Sequence, residues 1–532
     1  MSAQPDRYVH EGLPAPDQLP RLLFDLPELQ FPAQLNLVEE LLDKAPAKGF
    51  GDRPMLRSSR LTLTYAQAGE RVDAIVRTLT QDLGLVPGNR VLLRGGNSIG
   101  LALGWLAVVK AGMVAVPTMP LLRARELGDI IDKAQPVVAL CEVKLLDELD
   151  LARLERPVLR TVVAFNAAGD SLAAAGAAPV AACPTAADDI ALLAFTSGTT
   201  GKPKAAIHTH RDVLAACETW PRHVLKPTPD DIVVGSPPLA FTFGLGGLLV
   251  FTMWAGASVH FPDAPYTPEA MVRTINETGA TICYTAPTFY RQMAPFARQH
   301  GVGKLRLCVS AGEGLPDATR QLWKDASGIE MTDGIGATEM FHIFISSPAA
   351  EVRRGAIGKV VPGYRAKVVD AEGKEVPRGT VGKLAVMGPT GCKYMADARQ
   401  ADYVRDGWNY PGDAFSQDED GYFFFNARAD DMIITSGYNV GSPEVEDALL
   451  THPAVAECGV IGKPDEARGM IVKAFCVLKP GQDAGEAMVK ALQDHVKATI
   501  APFKYPREIA FVASLPRTET GKLQRFLLRQ LA

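Results

Sequence analysis

Short apolar runs alternate with helical patterns along the first part of the chain, from about residue 62 to residue 180. Runs typical of buried strands begin at Val91, Val114 and Val137. The segment LALGWLAVVKAG follows the first run, and a more polar helical pattern at 125–133 follows the second. Because buried strands that alternate with crossover helices build a parallel sheet, this pattern predicts an α/β subdomain.

A second series of apolar runs repeats this alternation in the middle of the chain. The runs are IVVGSP from Ile232, TICYTAP from Thr281, LRLCVSAG from Leu305 and MTDGIG from Met331. They predict a second α/β subdomain.

The sequence pattern changes after Gly355, where short alternating strands with Gly and Pro turns predict a small antiparallel or barrel-like subdomain. From Asp431 a compact region follows. It is predicted to contain a helix at 443–450, strands at 454–461 and 472–478, and an amphipathic helix at 486–500. The fold class is therefore α/β multidomain, with two α/β subdomains, a small β-barrel-like subdomain and a mobile α+β end domain.

Two segments allow more than one interpretation. Residues 232–262 lack Asp, Glu, Lys and Arg, which would suit a membrane helix, but Pro237, Pro238 and five glycines interrupt them. A bilayer penalises such unsatisfied backbone, so we predict a buried core segment. The Ala- and Gly-rich stretch at 167–187 is predicted to be a surface linker.

Composition narrows the class of protein. The 532 residues carry 55 basic and 60 acidic side chains, a formal net charge of -5 that gives little support to a nucleic-acid or acidic-membrane surface. The eight cysteines form no CxxC pair, which argues against disulfides and zinc and favours a reducing cytoplasm. No secretory or transit signal is recognisable in the first thirty residues.

The strongest local motif is a loop that follows the apolar strand ALLAF. It contains Thr196, Ser197, Gly198, Thr199, Thr200, Gly201, Lys202, Pro203 and Lys204. Glycines permit close backbone approach, while hydroxyls and ammonium groups bind phosphate oxygens, so the loop is suited to hold a polyphosphate. The spacing is not that of a Walker A loop, and an ordinary polar turn is the alternative interpretation.

This loop resembles the phosphate loop of the adenylate-forming superfamily of acyl-CoA synthetases, peptide-synthetase adenylation domains and beetle luciferases. Further segments resemble the family's motifs in the family's order. They are SPPLAFTFG from Ser236, SAGE from Ser310, DGIGATE from Asp333, YPGD from Tyr410, NARADDMIITSGYN from Asn426 and PRTETGK from Pro516. The departures, among them Pro411, Asn426, Ile335 and Asn439, bear on fine contacts to the nucleotide.

The resemblance implies which residues bind ATP and AMP. They are Thr196, Ser197, Gly198, Thr199, Thr200, Gly201, Lys204, Gly312, Glu313, Asp333, Gly334, Ile335, Gly336, Ala337, Thr338, Asp413, Arg428 and Lys522. Lys522, Thr338 and Glu339 are the predicted catalytic residues. A lysine near the chain end can neutralise charge as a carboxylate oxygen attacks the α-phosphorus, although a solvated surface lysine is the alternative.

Roles for the remaining nucleotide residues follow from their chemistry. Glu339 is expected to hold Mg²⁺ on the ATP phosphates, because a hard cation prefers carboxylate and phosphate oxygens, and Thr338 is expected to contact the α-phosphate. A capping or surface role is the alternative. Asp413 can accept hydrogen bonds from the ribose hydroxyls, and Arg428 can donate to ribose or phosphate. A structural ion pair is the competing role for either residue.

The resemblance also implies a large domain at 1–429 and a small lid domain at 430–532 that rotates about a hinge at Asp430. Phe241, Ser436, Gly437 and Tyr438 are expected to line the tunnel for the pantetheine of coenzyme A. An ordinary turn glycine is an equal alternative for Gly437.

The acyl pocket is predicted from residues that lie within or just after these motifs. The candidates are Ala240, Phe241, Tyr284, Ala311, Ile335, Gly336, His342 and Ile343. Small residues around an aromatic ring and a histidine favour a short flat slot for an aromatic acid. The string DGIGATEMFHIFIS resembles benzoate- and 2-aminobenzoate-CoA ligases. His342 either contacts the substrate or is a satisfied core group.

The implied activity is an aryl-CoA ligase that forms an acyl adenylate from MgATP and then a thioester with coenzyme A. Its expected ligands are Mg²⁺, ATP, coenzyme A and a small aromatic carboxylate, with no tightly bound organic cofactor, nucleic acid or membrane. A monomer or homodimer in the cytoplasm is expected. The alternatives are an adenylation enzyme that loads a carrier protein, a CoA ligase for another short or branched acid, and a non-catalytic nucleotide-binding protein.

Overall fold

The computed structural model of the chain describes residues 1–166, 178–196, 203–263, 266–428, 433–435, 438–465, 468–517 and 522–532. Within this part of the chain the strands form four sheets, three before residue 429 and one after residue 432. The predicted α/β architecture with a small end domain is confirmed.

The first sheet is mostly parallel and lies in the first 210 residues. The strands before residue 210 are β1 to β8, at Pro54–Arg57, Thr62–Thr64, Arg90–Arg94, Val114–Thr118, Val138–Glu142, Thr161–Phe165, Ile190–Thr196 and Lys204–Thr209. Of these, β1 and β2 belong to the second sheet. Helices α1 to α5 are Tyr8–Glu11, Tyr65–Arg77, Ile99–Lys110, Ala124–Ala134 and Leu146–Arg153. The strand order is β6-β5-β3-β4-β7-β8, and β7 and β8 form an antiparallel pair. Strands β3, β4 and β5 are buried throughout, as a parallel sheet covered on both faces requires.

The second sheet repeats the alternation, as the sequence predicts. Strands β9 to β15 are Ile232–Gly235, Ser258–His260, Ile282–Thr285, Leu307–Ser310, Met331–Gly336, Ile343–Ser346 and Lys359–Val360. Helices α6 to α11 are His210–Cys217, Thr242–Gly244, Phe251–Trp254, Pro268–Thr278, Pro287–His300 and Asp317–Ser327. The order is β15-β14-β13-β12-β11-β9-β10-β1-β2, in which β9, β11, β12 and β13 run parallel.

The apolar segment that tests the membrane interpretation contains strands β9 and β10 with a helical stretch between them. A π-helical stretch, Leu245–Val250, joins α7 to α8, and its side chains are buried among the two α/β subdomains. No helix in the described residues combines the length and the apolar character that crossing a bilayer requires. The prediction of a buried segment is confirmed.

The remaining sheets form the third subdomain and the end domain. Strands β16 to β21 are Arg365–Val369, Gly382–Met387, Val404–Arg405, Trp408–Asn409, Asp413–Gln417 and Phe423–Arg428, with α12 at Gln400–Tyr403, and they pair antiparallel as predicted. Strands β22 to β26 are Ile433–Thr435, Tyr438–Val440, Val455–Asp465, Gly469–Leu478 and Glu508–Phe511. Helices α13 to α15 are Ser442–Leu450, Glu486–Thr499 and Arg525–Gln530.

The predicted surface linker at 167–187 is wrong at its C-terminal end. Residues 167–177 lie outside the described part, but Thr185, Ala186 and Ala187 are buried. The backbone N–H of Leu35 donates to the carbonyl of Thr185 at 2.8 Å, and Gln34 pairs with Ala186. Small side chains allow two backbones to pair closely. An Ala- and Gly-rich composition therefore does not by itself indicate an exposed linker.

Candidate active site

Three parallel strands bring the predicted motifs to one edge of the second sheet. β11, β12 and β13 are neighbours, with Tyr284 opposite Val309 and Ser310 opposite Asp333. Their carboxyl ends lead into the predicted pocket residue Tyr284, the SAGE segment and the Thr338–Met340 turn. Ligands of open α/β sheets bind at such carboxyl ends, so the strand order explains why motifs far apart in sequence converge.

Glu339 is buried and lies in a short chain of hydrogen bonds. The Tyr394 hydroxyl donates to Glu339 Oε1, and Lys204 Nζ donates to the Tyr394 hydroxyl at 2.7 Å. An ammonium group has no acceptor, so the direction of this chain is fixed from Lys204 through Tyr394 to Glu339. Lys204 Nζ is 3.9 Å from Glu339 Oε1 and 4.6 Å from the centroid of the Tyr394 ring. Two predicted ATP-site residues are thus linked by a tyrosine.

Strand β8 contacts the Thr338–Met340 turn through a histidine side chain. Successive side chains alternate along a strand, so Lys204 and His208 project on the same side. The His208 Nε2–H donates to the carbonyl of Thr338 at 2.8 Å, since a carbonyl oxygen can only accept. Burial lowers the pKa of His208 to about 4, so its imidazole is neutral at neutral pH. The predicted residue Thr338 is thereby anchored through its backbone.

The DGIGATE segment combines buried and open positions. Asp333 is buried on β13, and burial raises the pKa of its carboxyl to about 6. Gly336 is exposed at the strand end, and a Cβ on it would lie 2.6 Å from the His342 carbonyl oxygen. Ile335 and Ala337 are half-buried. The close approach of the two backbones explains why glycine is needed at 336.

Asp413 begins β20, where its residue is 6% exposed and lies opposite Arg428 on β21. This register places two predicted ribose-site residues side by side on the backbone. Tyr438 pairs with Thr435 through the β22–β23 backbone. The predicted residues Ser197, Gly198, Thr199, Thr200, Gly201, Ser436, Gly437 and the hinge residue Asp430 lie outside the described residues. Thr196 ends β7, and its buried hydroxyl has no hydrogen-bond partner among the described residues.

Lys522 lies beside the SAGE segment of the large portion. A Cβ on Gly312 would be 3.8 Å from Cε of Lys522, and Gly312 has a φ of +92° that disfavours other residues. Burial raises the pKa of Glu313, which a hydrogen bond from Thr288 and the positive charges of Arg517 and Lys522 oppose. The predicted catalytic lysine therefore lies beside a segment that is predicted to bind ATP.

Arg517, in the same motif as Lys522, joins the end domain to the large portion. Its guanidinium lies 3.6 Å from Glu313 Oε1 and donates to Glu457 Oε2 at 2.8 Å. Thr288 donates to the other oxygen of Glu313 at 2.7 Å. A cavity of about 340 Å³ opens beside these groups, lined by residues from both portions, a size typical of small-molecule sites.

The predicted acyl-pocket residues Tyr284 and His342 belong to a group of five rings, which we call the aryl cluster: Trp220, Phe243, Phe251, Tyr284 and His342. The His342 ring centroid lies 4.6 Å from that of Phe251, 5.3 Å from that of Trp220 and 5.6 Å from that of Phe243. Tyr284 lies 5.9 Å from Phe243 and 6.3 Å from Trp220. The structure thus brings together the predicted residues Tyr284 and His342.

Polar atoms of the aryl cluster lack partners. Among the described residues, neither ring nitrogen of His342, nor the Tyr284 hydroxyl, nor Trp220 Nε1 makes a hydrogen bond of normal geometry. Burial lowers the pKa of His342 to about 3, a shift that the nearby Phe243 carbonyl opposes. The imidazole is therefore neutral and offers one donor and one acceptor. Single buried polar atoms without partners also occur elsewhere in the described residues, for example Trp105 Nε1 and Trp323 Nε1, but here such atoms of three neighbouring rings lie together, as a site that a ligand completes would have them.

Glycines allow the helix backbone to pack directly against these rings. A Cβ on Gly247 would lie 2.6 Å from Cε1 of Tyr284, and one on Gly246 would lie 2.6 Å from Cδ2 of His342. The other predicted pocket residues lie near the strand ends: Ala240, Ala311 and Ile343 are buried, and Phe241 is half-buried at the start of α7.

Four features of the candidate site were not predicted from the sequence: Tyr394, Trp220, Phe251 and the pairing of Arg517. Tyr394 lies in GCKYMADA, where nothing in the local pattern distinguishes a site residue from a core tyrosine. Trp220 and Phe251 are apolar residues in helical patterns, so they were indistinguishable from ordinary core. Arg517 lies inside the PRTETGK motif, so its position was a usable signal.

Comparison with known proteins defines the class. The AMP-binding enzyme family matches residues 43–394, and the AMP-binding enzyme C-terminal domain matches residues 444–522. The chain belongs to the AMP-binding enzyme family, and its predicted place in the adenylate-forming superfamily is confirmed.

Among individual relatives, a benzoate–CoA ligase of Thauera aromatica is 35% identical over 512 residues, covering 94% of this chain and 97% of that protein. The solved structure of anthranilate CoA ligase AuaEII in complex with anthranoyl-AMP gives a TM-score of 0.90 at 35% identity, covering 95% of this chain and 99% of that one. A benzoate CoA ligase from Burkholderia xenovorans LB400 gives a TM-score of 0.84 at 30% identity, covering 93% and 100%.

Proposed function

We propose that this protein is an AMP-forming ligase that joins an aromatic carboxylic acid to coenzyme A. The observation that carries the proposal is the aryl cluster, a largely buried group of rings with unpartnered polar atoms, in which His342 follows Glu339 closely in the sequence and Tyr284 lies at the same sheet edge. The named activities of the relatives, benzoate–CoA and anthranilate CoA ligation, support the same substrate class.

The first step forms an acyl adenylate. A carboxylate oxygen of the aromatic acid attacks the α-phosphorus of ATP, the bond to the β-phosphate oxygen breaks, and pyrophosphate leaves. Thr338 is proposed to contact the α-phosphate, and Asp413 with Arg428 is proposed to hold the ribose. Catalysis of this transfer is mainly positioning and charge stabilisation, so fixed donors and cations matter most.

Lys522 is proposed to supply the mobile cation of this step. It lies beside Gly312 at the nucleotide edge, where its ammonium can reach both the carboxylate and the α-phosphate. A cation that meets the developing charge lowers the barrier without being consumed.

The residues fit a magnesium ion bound together with ATP. Among the described residues no group of three or more His, Cys, Asp or Glu side chains could hold a metal by itself. Glu339 instead presents one carboxylate at the site, which matches the way Mg²⁺ binds through one or two carboxylates plus substrate phosphates. When bound, Mg²⁺ supplies charge neutralisation of the phosphate oxygens.

The second step transfers the acyl group to sulfur. The thiol of coenzyme A attacks the carbonyl of the adenylate, AMP leaves and the thiol proton passes to solvent, which gives the thioester. We propose that the domain at 430–532 turns about Asp430 between the steps, and that Phe241, Ser436, Gly437 and Tyr438 line the thiol's path. A cytoplasmic location belongs to the proposal and is supported by the eight free cysteines.

The unpartnered atoms favour an aromatic acid with a polar ring substituent, such as 2-aminobenzoate, over benzoate itself. Trp220 Nε1 can only donate, whereas Tyr284 and neutral His342 can each donate and accept. A pocket whose buried polar groups are satisfied by the substrate rejects an analogue that leaves them unpaired.

The test is to incubate the purified protein with MgATP, free coenzyme A and either benzoate or 2-aminobenzoate, and to identify products by mass spectrometry. We expect AMP, pyrophosphate and the aryl-CoA thioester in equal amounts. Acyl-AMP without thioester would instead support an enzyme that loads a carrier protein, and neither product with any acid would overturn the proposed activity.

A further inference from the structure

The phenol of Tyr394 occupies an unusual position between two charged residues of the site. Tyr394 is 1% exposed and follows β17 in the third subdomain, where its backbone pairs with Ala206 of β8. Its hydroxyl accepts from Lys204 Nζ at 2.7 Å and donates to Glu339 Oε1. The hydroxyl therefore accepts a hydrogen bond from a positively charged group and donates one to a negatively charged group.

We propose that Tyr394 is a positioning residue that keeps Lys204 and Glu339 from neutralising each other, so that both remain available to the nucleotide. The inference rests on the proposed adenylation reaction, in which Lys204 binds phosphate and Glu339 binds the metal.

The separation of the two charges supports this role. Lys204 Nζ and Glu339 Oε1 are 3.9 Å apart, whereas a charge-assisted N–H···O hydrogen bond is about 2.7–2.9 Å long. The phenol hydroxyl bridges the two groups by accepting from the ammonium and donating to the carboxylate, and the ammonium also lies over the Tyr394 ring at 4.6 Å from its centroid. Without the hydroxyl, the shortest way to satisfy both side chains is a direct ion pair, which would occupy the oxygen and the ammonium that MgATP needs.

The support around Tyr394 keeps the phenol in place. The N–H of Tyr394 donates to Gln400 Oε1 at 2.9 Å, and its ring packs edge-on against Tyr403 at 5.7 Å between centroids. The neighbouring backbone donors and acceptors of Lys393 and Met395 pair with β8. Tyr394 is therefore tied to the same strand that presents Lys204, which fixes the distance between the hydroxyl and the ammonium.

The test compares Tyr394→Phe with Tyr403→Phe. Tyr403 is a matched control because it is buried against the same ring, and its hydroxyl has no hydrogen-bond partner among the described residues. Binding of Mn²⁺ in the presence of ATP is followed by electron paramagnetic resonance, and MgATP binding by the shift of the thermal unfolding midpoint. Pyrophosphate exchange gives the KM values for MgATP and for the acid separately.

We expect Tyr394→Phe to weaken Mn²⁺ and MgATP binding by about tenfold, with the KM for the aromatic acid within about twofold of the parent, since a direct ion pair competes only with the nucleotide. Tyr403→Phe should match the parent in all three measurements. Adding Lys204→Met to Tyr394→Phe should recover the Mn²⁺ affinity measured at saturating ATP, because the competing ammonium is gone, but not the MgATP affinity, because Lys204 itself binds phosphate in the proposed reaction. A protein that merely misfolds would recover neither.

Unchanged Mn²⁺ and MgATP affinities in Tyr394→Phe would overturn the inference and leave the proposed function intact. Equal losses in Tyr394→Phe and Tyr403→Phe would also overturn it, because they would show that packing of the two rings is responsible. A parent protein that binds MgATP but exchanges no pyrophosphate with any aromatic acid would instead refute the proposed function.

Discussion

The two proposed sides of the site differ in how their central polar groups are satisfied. On the nucleotide side, Glu339, Lys204 and the Thr338 carbonyl have partners within the protein, whereas the buried Thr196 hydroxyl has none among the described residues. On the acyl side, polar atoms of Trp220, Tyr284 and His342 are buried without partners among the described residues. An unpaired buried polar group lowers the stability of the folded protein. A ligand that forms hydrogen bonds with these atoms would remove that cost and stabilise the fold.

This difference separates two tasks. A nucleotide site that is already held by internal hydrogen bonds needs little rearrangement when it stabilises charge, which is what preorganised catalysis requires. An acyl site with unpaired donors and acceptors binds most tightly the acid whose own polar groups pair with them. The substrate preference therefore depends on the polar groups of the acid. Substitutions on the nucleotide side and on the acyl side can therefore be tested separately.

Lys522→Ala should have the largest effect. Loss of a cation that meets the developing charge is expected to lower adenylation by about 100- to 1,000-fold, measured by pyrophosphate exchange. Thioester formation from supplied aryl-AMP should change little, because that step does not transfer phosphorus. Lys490→Ala, an exposed lysine of the same domain, is the control. Full pyrophosphate exchange in Lys522→Ala would remove the lysine from the mechanism.

Arg517→Glu should reduce adenylation by about 10- to 100-fold. It places a like charge against Glu313 and Glu457, which costs several kcal/mol and moves the end domain away from the nucleotide edge. Combining it with Glu313→Arg restores an opposite pair across the boundary, so partial recovery of exchange is expected. No recovery together with normal thioester formation would mean that Arg517 does not dock Lys522.

A pair of tyrosine variants sharpens the comparison through stability. Tyr394→Phe removes a hydroxyl with two charged partners and should lower the free energy of unfolding by about 1–3 kcal/mol. Tyr284→Phe removes a buried hydroxyl without a partner among the described residues and should leave stability unchanged or slightly higher. Thermal unfolding without ligands measures both. A loss of stability in Tyr284→Phe equal to that in Tyr394→Phe would contradict the contrast.

The smallest effect concerns pH. The pKa of His342 is about 3 in the fold against 6.5 ordinarily, so protonation favours the unfolded chain and stability falls as the pH drops below 6.5. His342→Phe cannot take up this proton, and its stability should fall by about 1 kcal/mol less between pH 7.5 and 5.5. His300→Phe, at an exposed position, is the control. Equal pH slopes for His342→Phe and the parent would show that His342 is not buried as described.

The sequence predicted the architecture well where the signal was local. Strands at Val91, Val114, Ile232 and Leu305 and the end-domain helices follow from periodicity, because buried strands and amphipathic helices impose short-range patterns. The burial of Thr185 could not be predicted, since it depends on pairing with Leu35, 150 residues away.

The site was predicted where a motif identifies it, and missed where only the fold assembles it. Lys204, Glu339 and Lys522 lie in motifs, whereas Tyr394 reaches Glu339 across 55 residues because one subdomain packs on another. The aryl cluster likewise combines β11, the segment after β13, and two helical segments. No local pattern encodes which core aromatic residues meet around a ligand.

The most direct test of the account is a competition assay, with MgATP and coenzyme A, across 2-aminobenzoate, hydroxybenzoates, benzoate and short fatty acids. We predict aryl-CoA as the main product and a kcat/KM for the best acid with a polar ring substituent that is at least about tenfold above that for benzoate, since one satisfied buried polar group contributes about 1–3 kcal/mol. Preference for a fatty acid, or for benzoate over every substituted acid, would contradict the account.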